Sequence, residues 1–160
     1  MMVVSDTSPI CYLVLIDEID LLQKLYGRVI IPQAVYMELT AVGSPMKVQA
    51  WMAQHPRWIE VQSLVGEPDV ELSQLDAGEC AAIALAEQMR ANLVILDERA
   101  ARKVAMGRGL KVIGLLGILG ASAERGLVNF PMTIDRLRQT NFWASPQLIK
   151  LLLERYSDNG

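Results

Sequence analysis

Short apolar runs alternate along the chain with longer stretches whose apolar positions recur at helical spacing. The first run, Met2-Val3-Val4, leads into Ser5-Asp6-Thr7-Ser8-Pro9. β-Branched residues suit a strand covered on both faces. The Ser-Pro pair opens a helix: Ser8 accepts from free N–H groups of a first turn, and Pro9 has no N–H to lose there. Asp6 is thereby predicted at the carboxyl edge of a first strand, followed by a buried helix over 10–16. Asp17-Glu18-Ile19-Asp20 starts a second helix through Leu21, Leu22 and Leu25, stopped by Gly27. Val29-Ile30-Ile31 reads as a second strand. Pro32 then opens a helix over 33–40, on which Val35, Glu38, Leu39 and Val42 share one face.

Gly43-Ser44-Pro45 breaks the pattern, a helix is predicted over 48–54, and His55-Pro56 ends it. Trp58-Ile59-Glu60-Val61 reads as a third strand and Gly66-Glu67-Pro68-Asp69 as a loop. From Asp76 a helix carries Glu79, Ala82, Ile83 and Ala86 on one face, the alanines allowing close approach to a sheet. Leu93-Val94-Ile95-Leu96-Asp97 repeats the opening theme of an apolar run closed by an acid. A helix over 99–106 stops at Gly107 and Gly109, Lys111-Val112-Ile113 is a last strand, and helices follow over 115–125, 133–139 and 146–155. Strands alternating with helices imply an α/β fold of three layers, α/β/α, around a central parallel sheet of four to five short strands. One domain is expected over 1–156, with a frayed tail at 157–160.

The 160 residues suit a single compact domain, and a hydrophobic content of 52% supplies a sizeable core and argues against disorder. The longest apolar run, 112–123, is too short and glycine-rich to span a membrane. The N-terminus has neither a basic flank nor a small-residue cleavage site, so no signal peptide is expected. Cys11 and Cys80 show no metal-like or disulfide-scaffold spacing, and a reducing cytoplasm is the expected setting. A net charge of −3 argues against a general nucleic-acid binder, though not against a local basic patch.

Four acids occupy equivalent places. Asp6 and Asp97 close apolar strands, and Glu38 and Glu79 lie on the sheet-facing sides of helices. A parallel sheet can gather all four at its carboxyl edge, where ligands bind in open α/β sheets. Carboxylates crowded there raise one another's pKa unless a cation sits between them. Hard oxygen donors suit Mg²⁺ or Mn²⁺. Each acid also has a local explanation. Asp6 can form an Asx-turn with the residues that follow, Asp97 can cap its helix, and Glu38 can be an ordinary helix-face acid. Asp76 and Glu79 have the spacing of a capping box, which accounts well for Asp76 and less well for Glu79 on its buried face.

These pieces together resemble a PIN domain, particularly small bacterial and archaeal nucleases of the VapC toxin type. The likeness rests on Val4-Ser5-Asp6-Thr7-Ser8-Pro9, Val35-Tyr36-Met37-Glu38-Leu39, Gly78-Glu79-Cys80-Ala81-Ala82-Ile83-Ala84-Leu85-Ala86 and Leu96-Asp97-Glu98-Arg99-Ala100-Ala101-Arg102. Gly109-Leu110-Lys111-Val112-Ile113-Gly114-Leu115-Leu116-Gly117 extends it. The resemblance implies that Asp6, Glu38, Glu79 and Asp97 bind Mg²⁺ or Mn²⁺ and support RNA cleavage, with Thr7 or Ser8 assisting. It also implies a homodimer and a small antitoxin partner. Glu79 departs from the aspartate that many relatives carry.

Metal-assisted phosphodiester hydrolysis follows, with Asp6 and Asp97 as direct ligands and Glu38 and Glu79 acting through water. Thr7 or Ser8 would hold Asp6. The single histidine, His55, is expected to face solvent, so a histidine-pair mechanism is excluded by count. Arg99, Arg102 and Lys103, with Arg108 and Lys111 beyond, form an acid-free basic stretch able to track RNA; the competing reading is a solvated helix face. Trp51, Trp58 and Trp143 are expected in core or interface packing, Met37, Met46 and Met52 in packing or a partner surface, and Cys80 as a small buried residue. The main rival is a non-catalytic PIN-like protein-binding module that uses the apolar 148–153 stretch. A phosphatase with Asp6 as nucleophile is a second rival; that class wants an acid two residues on, where Ser8 stands.

Overall fold

The computed structural model describes residues 1–157 and arranges five parallel strands in the order β3-β2-β1-β4-β5. The strands are β1 (Val3–Ser5), β2 (Val29–Pro32), β3 (Ile59–Gln62), β4 (Leu93–Ile95) and β5 (Val112–Ile113). The helices are α1 (Thr7–Leu15), α2 (Asp20–Tyr26), α3 (Gln33–Thr40), α4 (Met46–Ala53), α5 (Ala77–Gln88), α6 (Arg99–Gly107), α7 (Leu115–Glu124), α8 (Phe130–Arg138) and α9 (Pro146–Tyr156). A 3-10 turn, Val70–Leu72, precedes α5. The expected three-layer α/β/α fold with a parallel sheet is observed, with the sheet at the upper end of the expected strand count. Residues 158–160 of the expected tail lie outside the described residues. No helix among the described residues is long and apolar enough to cross a membrane.

Alternation along each strand divides the core in two. Val3, Val29, Ile31, Ile59 and Ile95 face one cluster, built with α1–α4 and α7–α9. Val4, Ile30, Val94 and Leu96 face the other, built with α5, α6 and Leu72 of the 3-10 turn. Both faces of the sheet are therefore covered, which is why its strands read as unbroken apolar runs.

Several boundaries differ from the sequence expectation. α1 starts at Thr7, with Asp6 as its N-cap, so Ser8 lies inside the first turn and does not cap it. Pro9 is tolerated there because first-turn N–H groups have no intrahelical acceptor. Pro32 belongs to β2 and caps α3 rather than opening it. α3 ends at Thr40, and Val42, expected on its buried face, is 97% exposed. His55 is half-buried, its ring edge-on to Tyr36 at 6.2 Å, and does not face open solvent. Trp58 is buried and Trp51 half-buried, whereas Trp143 is exposed and outside the core. Met52 is buried, while Met37 and Met46 are exposed. Cys80 is half-buried rather than buried.

The chain's last helix closes on α7 through a close contact. A Cβ at Gly120 would lie 2.7 Å from Tyr156 Oη and 2.8 Å from Cε2 and Cζ, and that ring rests on Phe130 at 4.9 Å. Gly120→Ala is expected to destabilise the fold by about 1–3 kcal/mol, because a packed ring must move. Urea unfolding measures this; an unchanged midpoint would show that α9 yields freely.

Candidate metal centre

Sheet order sets the place of the site. From β1 the chain proceeds to β2 on one side, while β4 lies on the other, so the order reverses between β1 and β4. A crevice opens beyond the carboxyl ends at such a point. The register pairs Ser5 with Ile95, and the Asp6 amide continues the ladder by donating to the Ile95 carbonyl at 3.0 Å. Asp6 and Asp97 thus emerge from neighbouring strands at the same edge.

Asp6 is only 5% exposed, and its Oδ1 has no hydrogen-bond partner. Burial raises its carboxyl from an ordinary 3.8 to about 7; the Thr7 backbone N–H opposes this, and Asp76, Glu79 and Glu38 add repulsion. Glu38, on α3, accepts from the Thr7 hydroxyl. Asp97 accepts from the Leu115 amide at 2.8 Å through Oδ1, while its buried Oδ2 has no partner. Burial raises the Asp97 carboxyl too, against the lowering influence of the Leu115 amide, Arg102 and the Ser8 hydroxyl. The two hydroxyls expected to hold Asp6 therefore serve other acids: Thr7 meets Glu38, and Ser8 bears on Asp97.

The tightest group of acids differs from the expected four. One oxygen each from Asp6, Glu38 and Asp76 lie within 4.8 Å of one another. Asp76 is the N-cap of α5: Oδ1 accepts from the Glu79 amide at 2.8 Å, and Glu79 Oε1 accepts from the Asp76 amide at 3.3 Å. The capping box read from the spacing is present, yet Asp76 also joins the cluster. Glu79 is 6% exposed and lies outside that trio; burial, then Asp76, raises its carboxyl. Glu98, the α6 N-cap, adds negative charge near Asp97 and Glu79, a contribution that nothing in its spacing announced.

Two glycines give the acids room. A Cβ at Gly78 would overlap Glu38 Oε1 and lie 2.9 Å from Asp6 Oδ1. One at Gly114 would lie 3.1 Å from Arg102 Nη1 and 3.2 Å from Asp97 Oδ1, which places Arg102 beside Asp97. Arg99 and Lys103 are exposed on α6. Arg108 is not available to RNA as expected, because its guanidinium pairs with Glu87, Asp69 and Glu71. A surface cavity of about 830 Å³, lined by Arg28, Trp51 and Arg57 among others, contains none of these acids.

Unpartnered buried carboxylate oxygens carry a desolvation cost that a cation removes. The all-oxygen donor set fits a hard divalent ion.

Comparison with known families decides the lineage: the profile of a PIN-domain family matches residues 2–158. The chain belongs to the PIN-domain family. A similar solved structure is a PilT N-terminus domain protein from the hyperthermophilic archaeon Sulfolobus solfataricus P2. It is 18% identical, covers 76% of this chain and 93% of its own, and superposes with a TM-score of 0.55. That likeness concerns the PIN fold alone. No curated protein matches the chain.

Proposed function

We propose that this PIN domain is an endoribonuclease that hydrolyses RNA phosphodiester bonds with Mg²⁺ or Mn²⁺. The observation that carries the reading is the pair of buried, unpartnered oxygens, Asp6 Oδ1 and Asp97 Oδ2, at the crevice between β1 and β4. Asp6 and Asp97 are assigned as ligands, with Glu38 and Asp76 completing the donor set around Asp6 and Glu79 acting from the capping box. When bound, the metal supplies a water of lowered pKa and positive charge against the phosphoryl oxygens. Thr7 orients Glu38, and the Leu115 amide fixes one oxygen of Asp97 so that the other is free. Arg102 beside Asp97, with Arg99 and Lys103 on the same helix, supplies charge for the RNA backbone.

The toxin role, an antitoxin partner and a homodimer rest on the resemblance to VapC-type nucleases. Exposed Met37, Val42 and Met46, near Glu38 in sequence, offer apolar surface to such a partner. A reducing, cytoplasmic setting is proposed because neither Cys11 nor Cys80 is in a disulfide among the described residues. The protein-binding module is the weaker reading, because it leaves the buried, unpaired carboxylate oxygens without a purpose.

The test is cleavage of single-stranded RNA by purified protein. Activity is expected with Mn²⁺ or Mg²⁺, to vanish with EDTA, and to return on adding metal. Cleavage that persists in EDTA, or protein that neither cleaves RNA nor binds Mn²⁺, would overturn the proposal.

A further inference from the structure

The long connection between β3 and α5, residues 63–76, ends on Asp76, and its path is fixed at the far end of α5. Connections this long without secondary structure of their own are ordinarily disordered or functional, and only the short 3-10 turn interrupts this one. This one is tied down. Val65 donates its amide to Gln88 Oε1 at 3.0 Å and accepts from Gln88 Nε2 at 2.9 Å, so one side chain satisfies both backbone groups. Leu72 is fully buried in the core cluster that one face of the sheet forms with α5 and α6. Asp69 Oδ1 accepts from the Glu71 amide at 3.1 Å and shapes the 3-10 turn.

The main fastening is Arg108, which follows α6. Its Nε and Nη2 donate to Glu87 at 3.1 and 2.8 Å, its Nη2 reaches Asp69 at 3.2 Å, and its Nη1 reaches Glu71 at 3.3 Å. Glu87 and Gln88 lie in the last turn of α5, whereas Asp76 caps the first. The connection therefore runs back along a helix of 12 residues, about 18 Å long. Asp69 and Glu71 are exposed and their pairs alone are worth little, whereas the two-pronged contact with half-buried Glu87 is made by a guanidinium only 19% exposed. Arg108 also neutralises a segment that otherwise carries Glu67, Asp69 and Glu71 toward Asp76 with no cation of its own. Asp69 is held below its ordinary pKa by the Glu71 amide and then by Arg108.

We propose that Arg108 is a positioning residue for the metal centre: its guanidinium latches the 63–75 strap to α5 and α6 and so keeps Asp76 beside Asp6 and Glu38. The proposal rests on the metal reading given above. Arg108 touches neither metal nor RNA, and its effect passes through Asp76.

Mn²⁺ titration followed by electron paramagnetic resonance, with no RNA present, tests this on wild type, Arg108→Gln, Asp76→Asn and the double variant. Outer residues that orient ligands change metal affinity by about 10–100-fold, so Arg108→Gln is expected to weaken Mn²⁺ binding roughly tenfold or more. In the Asp76→Asn background the same change is expected to cost less than about twofold, because the route is already cut. Proteolysis within the strap should accelerate in Arg108→Gln. Arg108→Lys keeps the charge without the fork and should fall between; it replaces Arg108→Gln if that variant fails to fold. Faster proteolysis with unchanged Mn²⁺ affinity, or losses that multiply in the double variant, would overturn the proposal while leaving the metal site standing. Wild type that binds no Mn²⁺ would overturn both.

Discussion

Asp6→Asn is expected to abolish metal-dependent RNA cleavage and, without metal, to stabilise the protein at alkaline pH. The first effect follows from removing a carboxylate proposed as a direct ligand; a loss beyond about a hundredfold is expected, since even supporting residues cost 10–100-fold. The second follows from the carboxyl's displacement from 3.8 to about 7 by burial. Between those values the folded protein holds a proton that the unfolded chain has released. Metal-free stability contributed by this group is therefore full below about pH 4 and is lost as pH rises through 7. A pKa unit corresponds to about 1.4 kcal/mol, so the penalty at pH 8 is on the order of 4 kcal/mol. Asparagine carries no such charge, and the variant's advantage should be large at pH 8 and vanish near pH 4. Asp97 and Glu79 are raised by burial as well, so each adds to the loss of wild-type stability in EDTA as pH rises above the ordinary carboxylate range. Mn²⁺ should restore wild type and leave Asp6→Asn unmoved. Thermal unfolding at several pH values, with and without Mn²⁺, measures all of this. A variant no more stable than wild type at pH 8 in EDTA would show that the buried carboxylate is relieved by some other means.

The sheet was legible because its signals are local and repeated. Val3-Val4 and Val94-Ile95-Leu96 are apolar on both alternations, and each is closed by an acid, so both strands and the edge bearing Asp6 and Asp97 could be placed. Glu38 was legible from its spacing with Val35 and Leu39. Boundaries were less so: Val42 continues the periodicity of α3 although the helix stops at Thr40, because nothing in the spacing marks the extended backbone at Ala41. Asp76 is hard to read for a different reason. Its capping-box partner sits three residues away and accounts well for it, so its place beside Asp6 and Glu38, which depends on how α5 lies against α3, leaves no trace in the spacing. Arg108 is hidden in the same way. Read along the chain it extends a basic run; in space it meets Glu87, Glu71 and Asp69, which lie 21, 37 and 39 residues back. Local pattern carries strands and caps, while acids and cations drawn together by tertiary packing show their partners only in the fold.

Gly78→Ala is expected to separate metal binding from stability. Gly78 lies in the first turn of α5, and its φ is not in the left-handed region, so the backbone does not require glycine there. Helix propensity favours alanine by up to about 1 kcal/mol. What glycine provides is space: an added methyl would overlap Glu38 Oε1 and stand 2.9 Å from Asp6 Oδ1. Asp6 is short and buried and has little freedom to retreat. Glu38 is longer, so it is the group expected to swing away, losing the Thr7 hydroxyl as it goes. The propensity gain and the crowding cost, about 1–3 kcal/mol for an overfilled site, partly cancel. Thermal unfolding in EDTA should therefore shift by only a few degrees, by roughly 4 °C per kcal/mol or less for a chain of this size. Mn²⁺ affinity should fall by at least about tenfold, because one proposed donor of the Asp6, Glu38 and Asp76 trio has left. Gly107→Ala supplies the comparison: beyond its chain neighbours and its own helix backbone nothing lies within 4 Å of the added Cβ, and both stability and Mn²⁺ binding should stay near wild type. Wild-type Mn²⁺ affinity in a folded Gly78→Ala protein would mean that Glu38 is not a donor, and the site would have to be rebuilt around Asp97 and Glu79.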